Sequence, residues 1–156
     1  MNPSPPKFKV PQLSLRMVKD RSVTLQKERI TSAEDLAEVA GDFIGDRPVE
    51  HLIAIMVDNS GTITSITTLA QGGMNNVACR VGDVMRSVLA SHASAFFLAH
   101  NHPSGDPTPS EEDFIMTESI ARAAEVVGVV FLDHLVVTRH GAYASIDWRG
   151  VAEAAE

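Results

Sequence analysis

The chain has 156 residues, of which 44% are hydrophobic, and a formal net charge of −7 at pH 7. That length fits one domain with a real core. The acidic excess disfavours sequence-independent nucleic-acid binding, which depends on Lys and Arg. No apolar run approaches the roughly 18 residues of a membrane span, and the Pro-rich residues 1–11 lack the apolar core of a secretory signal, so we expect a cytoplasmic protein. Cys79 is the only cysteine, which excludes an internal disulfide and a thiolate metal cluster.

Residues 1–30 are predicted to be an N-terminal arm, with short strands or extended chain at 13–18 and 22–25. This arm is the basic part of the chain, and we favour a solvated surface over a nucleic-acid site. Its cations are Lys7, Lys9, Arg16, Lys19, Arg21, Lys27 and Arg29.

Residues 31–156 are predicted to form a single domain that begins with a helix. In Thr31-Ser32-Ala33-Glu34 a hydroxyl precedes a carboxylate by three residues, which is typical of a capping box. Gly45 and Pro48 are predicted to end this helix. Its apolar residues recur at helical spacing and are Leu36, Val39, Ala40, Phe43 and Ile44.

Apolar runs and turn residues predict strands interleaved with helices through the rest of the chain. We expect strands at 50–57, 62–69, 95–99, 129–137 and 142–146, a hairpin turn at 58–61 and a loop at 71–73. We expect helices at 80–92 and 111–126, with Gly128 ending the second. The core face of the first of these is predicted to carry Val81, Val84, Met85, Val88 and Leu89. This order predicts an α/β (α+β) fold in which helices flank a mixed central β-sheet.

The stretch from His100 to Asp113 has the pattern H-x-H-P-x6-S-x-x-D and contains the ligand types of a catalytic zinc site. His100 and His102 are two residues apart at a strand end, so their side chains point the same way. Asp113 lies in the first turn of the following helix, where it can face that strand end. Three protein ligands leave the fourth position for water, whose pKa zinc lowers to about 7. Ser110 could donate a hydrogen bond to a charged intermediate.

Each part of this pattern also has an ordinary structural interpretation. Two histidines in one strand are a weak signal, and Ser110-x-x-Asp113 is also a typical helix start. Acidic residues suit the positive end of a helix dipole without any metal. We expect Ser110 to be both cap and site residue, and the combination at one strand end favours metal binding.

Three further residues have two open interpretations. Glu50 begins an apolar strand and is the best candidate for a proton shuttle, although it could be a solvent-facing strand end. Asp133 and His134 interrupt an apolar strand and point to opposite faces, so at most one of them faces the site. A role in orienting a ligand histidine and a purely structural role are both open.

The combination of Glu50 with His100-x-His102-x7-Ser110-x-x-Asp113 resembles the JAMM signature of the JAB/MPN metalloproteases. The run from His100 to Ser110 looks like the RadC-type branch of that superfamily, and the resemblance covers roughly residues 50–146. It implies an MPN fold and one Zn²⁺ per chain, held by His100, His102 and Asp113. It also implies that Glu50 is the general acid/base on the zinc-held water and that Ser110 stabilises the oxyanion.

The resemblance implies a metallohydrolase that cleaves peptide or isopeptide bonds, with a protein or peptide substrate that includes ubiquitin-like proteins among the candidates. Sheet edges in such folds often pair, so a homodimer is also considered. RadC-type proteins usually carry an N-terminal helix-hairpin-helix module, and the region before Glu50 is too short for it. This disfavours the family's DNA-repair role here. The alternatives are a DNA-repair-associated protein and a non-catalytic module that binds protein or nucleic acid.

Overall fold

The computed structural model describes residues 8–72 and 79–149, and in these ranges three α-helices flank a five-stranded sheet. The helices are α1 (Ala33–Ala40), α2 (Val81–Ala90) and α3 (Glu111–Val127). The strands are β1 (His51–Val57), β2 (Ile63–Gln71), β3 (Ala95–Asn101), β4 (Val130–Val137) and β5 (Tyr143–Ser145). The predicted α/β class with a mixed central sheet is confirmed.

The sheet has the strand order β2-β1-β3-β4-β5, so β3 is central. β3 pairs antiparallel with β1 and parallel with β4, whereas β1–β2 and β4–β5 are antiparallel. The carboxyl ends of β3 and β4 and the amino end of β1 therefore meet at one edge of the sheet. α3 follows β3 and carries the chain back to the parallel strand β4, so its amino terminus lies at the same edge.

Both faces of the sheet are covered, which explains the continuous apolar runs of the central strands. Ile53, Ile55 and Leu135 pack with α1 on one face. Met56, Phe96 and other apolar residues pack with α2 and α3 on the opposite face. Along β1 every residue after His51 is buried, as the sequence predicts.

The first helix begins one residue later than the sequence predicts. Ser32, not Thr31, is the N-cap, and its hydroxyl accepts a hydrogen bond from the Asp35 amide at 3.2 Å. Both hydroxyls have a carboxylate three residues further on, so the pattern does not distinguish them. Thr31 instead donates to the Asp35 carboxylate through its amide and its hydroxyl. A π-helical turn at Gly41–Gly45, which the sequence did not predict, continues α1.

Residues 8–28 form neither helix nor strand, so the short strands considered at 13–18 and 22–25 are absent. The chain meets β2 at the end of this segment, where Arg29 forms an isolated bridge to Thr62 and the Ile63 amide donates to the Glu28 carbonyl at 2.9 Å. The 58–61 turn forms as predicted. Gly61 adopts a φ of +81°, and a Cβ there would lie 2.6 Å from the Ile30 carbonyl oxygen, so this position requires glycine.

Several predicted boundaries shift by small amounts. β2 runs to Gln71, the first residue of the predicted loop, and Gly73 lies outside the described residues. Leu89, predicted for the core face of α2, is 44% exposed, because it lies about 100° around the helix from Val88, beside the buried face and not on it. Residues 1–7 of the predicted arm and 150–156 of the predicted domain also lie outside the described ranges.

None of the helices in residues 8–72 and 79–149 is long and apolar enough to cross a membrane.

Candidate metal centre

The edge where β3 ends brings together His100, His102 and Asp113. His100 is the penultimate residue of β3, and His102 follows the strand, its amide donating to the Val137 carbonyl at 2.9 Å. Asp113 lies in the first turn of α3. One potential ligand atom from each residue lies within 4.8 Å of the others. The structure therefore assembles the three side chains that the sequence predicts as metal ligands.

Short distances separate the ring nitrogens and carboxylate oxygens of these three side chains. The two Nε2 atoms of His100 and His102 are 3.0 Å apart. His100 Nε2 lies 3.4 Å from Asp113 Oδ1, and His102 Nε2 lies 3.8 Å from Asp113 Oδ2. His100 is fully buried and Asp113 is 2% exposed, whereas His102 is partly exposed. The site therefore has a buried floor and an open side.

A capping box at the start of α3 orients Asp113. Its amide donates to Ser110 Oγ at 3.2 Å, and the Ser110 amide donates to Asp113 Oδ2 at 2.8 Å. Oδ1 is left to face His100. Burial raises the pKa of this carboxyl, but the hydrogen bond and charge of His100, with the bonds to Ser110, outweigh burial and hold the pKa well below its usual range. Asp113 is therefore ionised near pH 7, as a ligand must be.

The loop between β3 and α3 orients His102. Gly105 turns the chain with a φ of +87°, and its amide donates to the His102 carbonyl at 3.1 Å. The loop then brings the Asp106 carbonyl to 2.8 Å from His102 Nδ1. A carbonyl can only accept, so Nδ1 carries a proton and Nε2 is the nitrogen free to bind metal.

Behind His100, two buried side chains continue the polar network. His100 Nδ1 lies 2.9 Å from His134 Nε2, and His134 Nδ1 lies 2.7 Å from Thr117 Oγ1. Burial, with the charge of His100, lowers the pKa of His134 well below its ordinary value, so the His134 ring is neutral near pH 7. His134 thus faces the site. Asp133 points to the other face, where it accepts a hydrogen bond from Ser145 Oγ at 2.7 Å.

The donor set fits zinc. Zinc holds imidazole nitrogen and carboxylate oxygen at about 2.0–2.2 Å, which places tetrahedral ligand atoms about 3.4 Å apart. The observed separations of 3.0, 3.4 and 3.8 Å bracket that value. His100, His102 and Asp113 would hold the ion and leave one position on the open side.

Glu50 is half-buried and directly precedes β1 at the same edge. Leu52 pairs with His100 in the β1–β3 ladder, and continuing that register places Glu50 opposite His102. Asn101 holds the segment that carries Glu50. Its side-chain oxygen accepts from the His51 amide at 2.7 Å, and its side-chain nitrogen donates to the Arg47 and Val49 carbonyls.

Residues 30–151 match the family described as "RadC-like JAB domain". The chain belongs to that family. Similar proteins include the UPF0758 proteins of Porphyromonas gingivalis, at 34% identity over 81% of this chain and 56% of that protein, and of Chloroflexus aurantiacus, at 33% over 84% and 57%. The UPF0758 protein of Rhodobacter capsulatus is 37% identical over 75% of this chain and 55% of its own length. The RadC-like chain thus spans about half the length of these relatives.

Two residues of this RadC-like centre escaped the sequence analysis. Asn101 was interpreted only as a spacer between two histidines. A polar residue at the end of a buried strand was the signal that could have identified it. Thr117 lies one helical turn after Asp113, on the same face of α3. That spacing could have placed it near the ligands, but its contact with His134 depends on the β3–β4 pairing.

Proposed function

We propose that this RadC-like JAB domain is a zinc-dependent metallohydrolase of the JAMM type, which cleaves peptide or isopeptide bonds. The observation that carries the proposal is the convergence of His100 Nε2, His102 Nε2 and an Asp113 carboxylate oxygen at tetrahedral spacing. Zinc bound there would polarise a carbonyl and make hydroxide available near pH 7.

In this proposal the chain itself supplies the proton transfer and the charge stabilisation. Glu50, half-buried at the edge of the site, takes a proton from the attacking water and returns it to the leaving amine. Ser110 Oγ accepts from the Asp113 amide, so the hydroxyl proton remains available for a developing oxyanion. Both roles require the substrate carbonyl on the open side, next to His102.

We propose a protein or peptide as the substrate, with ubiquitin-like proteins among the candidates. The net charge of −7 makes nucleic acid a poor partner for the chain as a whole. The site opens where the central strand β3 ends, beside an exposed loop, and an extended peptide could lie there. We also propose that the protein is cytoplasmic and that it forms a homodimer.

The first prediction separates metal binding from chemistry. Zinc content by mass spectrometry should be near one per chain in protein purified without chelator, and near zero in Asp113→Ala, which loses a ligand. Glu50→Gln should keep its zinc and lose activity, because the amide cannot accept the proton. Activity is measured as cleavage of a peptide library and of ubiquitin-like fusion proteins.

Glu112→Gln is the matched control, since this exposed acid precedes Asp113 in the same helical turn. It should retain both zinc and cleavage. Protein purified without chelator that holds no zinc would contradict the proposed function. Cleavage by Glu50→Gln at the rate of the unchanged protein would contradict the role of Glu50 alone.

A further inference from the structure

Within the N-terminal arm, residues 8–28 leave a row of apolar side chains in solvent. Five of them are 81–86% exposed, namely Phe8, Val10, Leu13, Leu15 and Val18. Leu15 and Met17 lie beside the end of α2, where they line a cavity of about 490 Å³ and Met17 is only half-buried. Apolar side chains gathered on one exposed segment indicate a surface that another molecule covers.

The same arm has the residue pattern of a strand but lacks a strand partner. In Leu13-Ser14-Leu15-Arg16-Met17, apolar and polar residues alternate, which suits a strand with one covered face. Within the described residues, no backbone hydrogen bond joins residues 8–27 to the rest of the chain. The backbone groups of this stretch are therefore available to pair with the edge of a sheet.

The outer edge of β2 is open to such a strand. β2 stands first in the strand order, and among the described strands it pairs only with β1. It contains neither lysine nor proline, which commonly protect an exposed edge from pairing. Its two register shifts lie near its ends, so residues 65–68 are regular. The bond from the Ile63 amide to the Glu28 carbonyl shows that this edge accepts an added chain.

The chain's own arm does not follow this edge. Lys27 Nζ lies 2.7 Å from Asp35 Oδ1 and 3.2 Å from Glu38 Oε2, so these ion pairs draw the arm toward α1. Leu25 packs against the core cluster on the α1 side of the sheet. These contacts direct residues 25–27 over that side and not along β2. A strand that completes the edge therefore comes from another molecule.

The distribution of charge favours a second copy of this chain as that molecule. Residues 1–30 carry seven cationic and two acidic side chains, a net charge of +5, so the remaining residues carry −12 of the total of −7. A basic arm is attracted to an acidic domain, and every copy offers both. The ion pairs of Lys27 show the same attraction within one chain. A nucleic acid would use the cations of the arm but not its apolar row.

We propose that two copies of this chain exchange N-terminal arms, with residues 10–23 of each copy docked as a strand along the outer edge of β2 in the other. Because the exchange is reciprocal, it closes as a two-fold dimer. Each copy contributes its arm and the nine residues of β2, which is close to the roughly 20–30 residues a side of a stable interface. The inference names the interface of the homodimer proposed above and does not depend on the zinc site.

The first test changes the arm. Leu13→Ser/Leu15→Ser replaces two exposed side chains, so each chain should still fold. Sedimentation velocity over a dilution series measures the dissociation constant of the dimer, which should rise about 100-fold or more because the dimer loses four buried leucines. Val126→Ser is the matched control, since Val126 is 87% exposed but lies near the end of α3. It should change the constant less than about threefold.

The second test locates the arm. In a Cys79→Ser background, one chain carries Ser14→Cys in the arm and another carries Thr68→Cys, at an exposed position of β2. After the two are mixed and treated with a bis-maleimide, we expect a cross-linked product that contains one chain of each kind. The product should disappear when Leu13→Ser/Leu15→Ser is added to the chain with the arm cysteine.

A dimer with the same dissociation constant in Leu13→Ser/Leu15→Ser would refute the exchange and leave the homodimer standing. A protein that stays monomeric throughout would refute both, while zinc content and cleavage would still test the proposed hydrolase. Hydrogen exchange gives a third outcome. If the arm amides gain protection only when duplex DNA or anionic vesicles are added, the arm docks on those partners and the proposed interface is wrong.

Discussion

At the scale of single residues, Asp113 performs two tasks with one carboxylate. Oδ2 accepts the Ser110 amide and closes the start of α3, while Oδ1 faces His100. The three candidate ligands were predictable from sequence as a group, because they lie in one short stretch and their spacing matches a strand end followed by a helix start. His134 was an open alternative and Thr117 was missed, since their contacts depend on strands far apart in the chain.

Ser110 has a structural and a proposed chemical role that substitution can separate. Ser110→Ala should lower the free energy of unfolding by about 1 kcal/mol through loss of the cap, whereas glycine in the same place should cost only a few tenths. Both lose the hydroxyl, so kcat should fall by about 10²–10³ in each if Ser110 donates to the oxyanion. Chemical denaturation and cleavage assays measure the two effects.

Ser32 provides the control for that experiment, because it caps α1 in the same way at a distance from the site. Ser32→Ala should lose similar stability and keep its activity. If activity instead falls in Ser110→Ala and is retained in Ser110→Gly, the hydroxyl acts only as a helix cap.

At the scale of elements, β3 organises the site because it is antiparallel to β1 and parallel to β4. The amino end of β1 and the carboxyl end of β4 therefore lie beside its own carboxyl end. Most helices and strands could be predicted from apolar periodicity and turn residues. The N-cap of α1 was misplaced because two overlapping patterns fit equally well. The helix between β3 and β4 favours the parallel pair that they form, but the sequence did not predict which strands are neighbours in the sheet.

Asn101 links the end of β3 to the segment before β1. In Asn101→Asp an oxygen replaces the donor to the Arg47 and Val49 carbonyls, and we expect a loss of about 1–3 kcal/mol in unfolding free energy. Zinc content should be retained, because no ligand lies in that segment, while kcat falls as Glu50 is displaced. Denaturation, zinc analysis and cleavage assays measure the three quantities.

Asn59→Asp, in the exposed turn between β1 and β2, is the matched substitution and should leave all three unchanged. A normal kcat in Asn101→Asp would show that Glu50 is held by other contacts.

At the scale of the whole molecule, Asp35 joins the N-terminal segment to the helix layer. Hydrogen bonds from Lys27, at 2.7 Å, and from Thr31 hold the pKa of the Asp35 carboxyl well below its ordinary value of 3.8. A depressed pKa in the folded state means that this stability is present above pH 3.8 and is lost as the pH falls further. Lys27 also contacts Glu38, which adds to the same cluster.

We therefore expect the unchanged protein to melt at a higher temperature than Asp35→Asn at pH 6. The difference between them should shrink as the pH falls below 3.8, because the unfolded chain then binds a proton that the folded Asp35 carboxyl does not yet bind. Thermal unfolding followed by circular dichroism across this range measures the effect. A difference that stays constant with pH would show that the charge of Asp35 contributes nothing to folding.

The His100–His134 contact spans 34 residues and crosses the parallel β3–β4 pair, and it has a consequence for the order of events in folding. Parallel pairing closes a long loop, so it forms slowly and late. A newly made chain carries all its ligands long before His134 reaches His100. Under the proposed function, and unlike a zinc finger, which needs its ion in order to fold, the ion would find its site arranged only after β3 and β4 have paired, because the Val137 carbonyl holds the His102 amide.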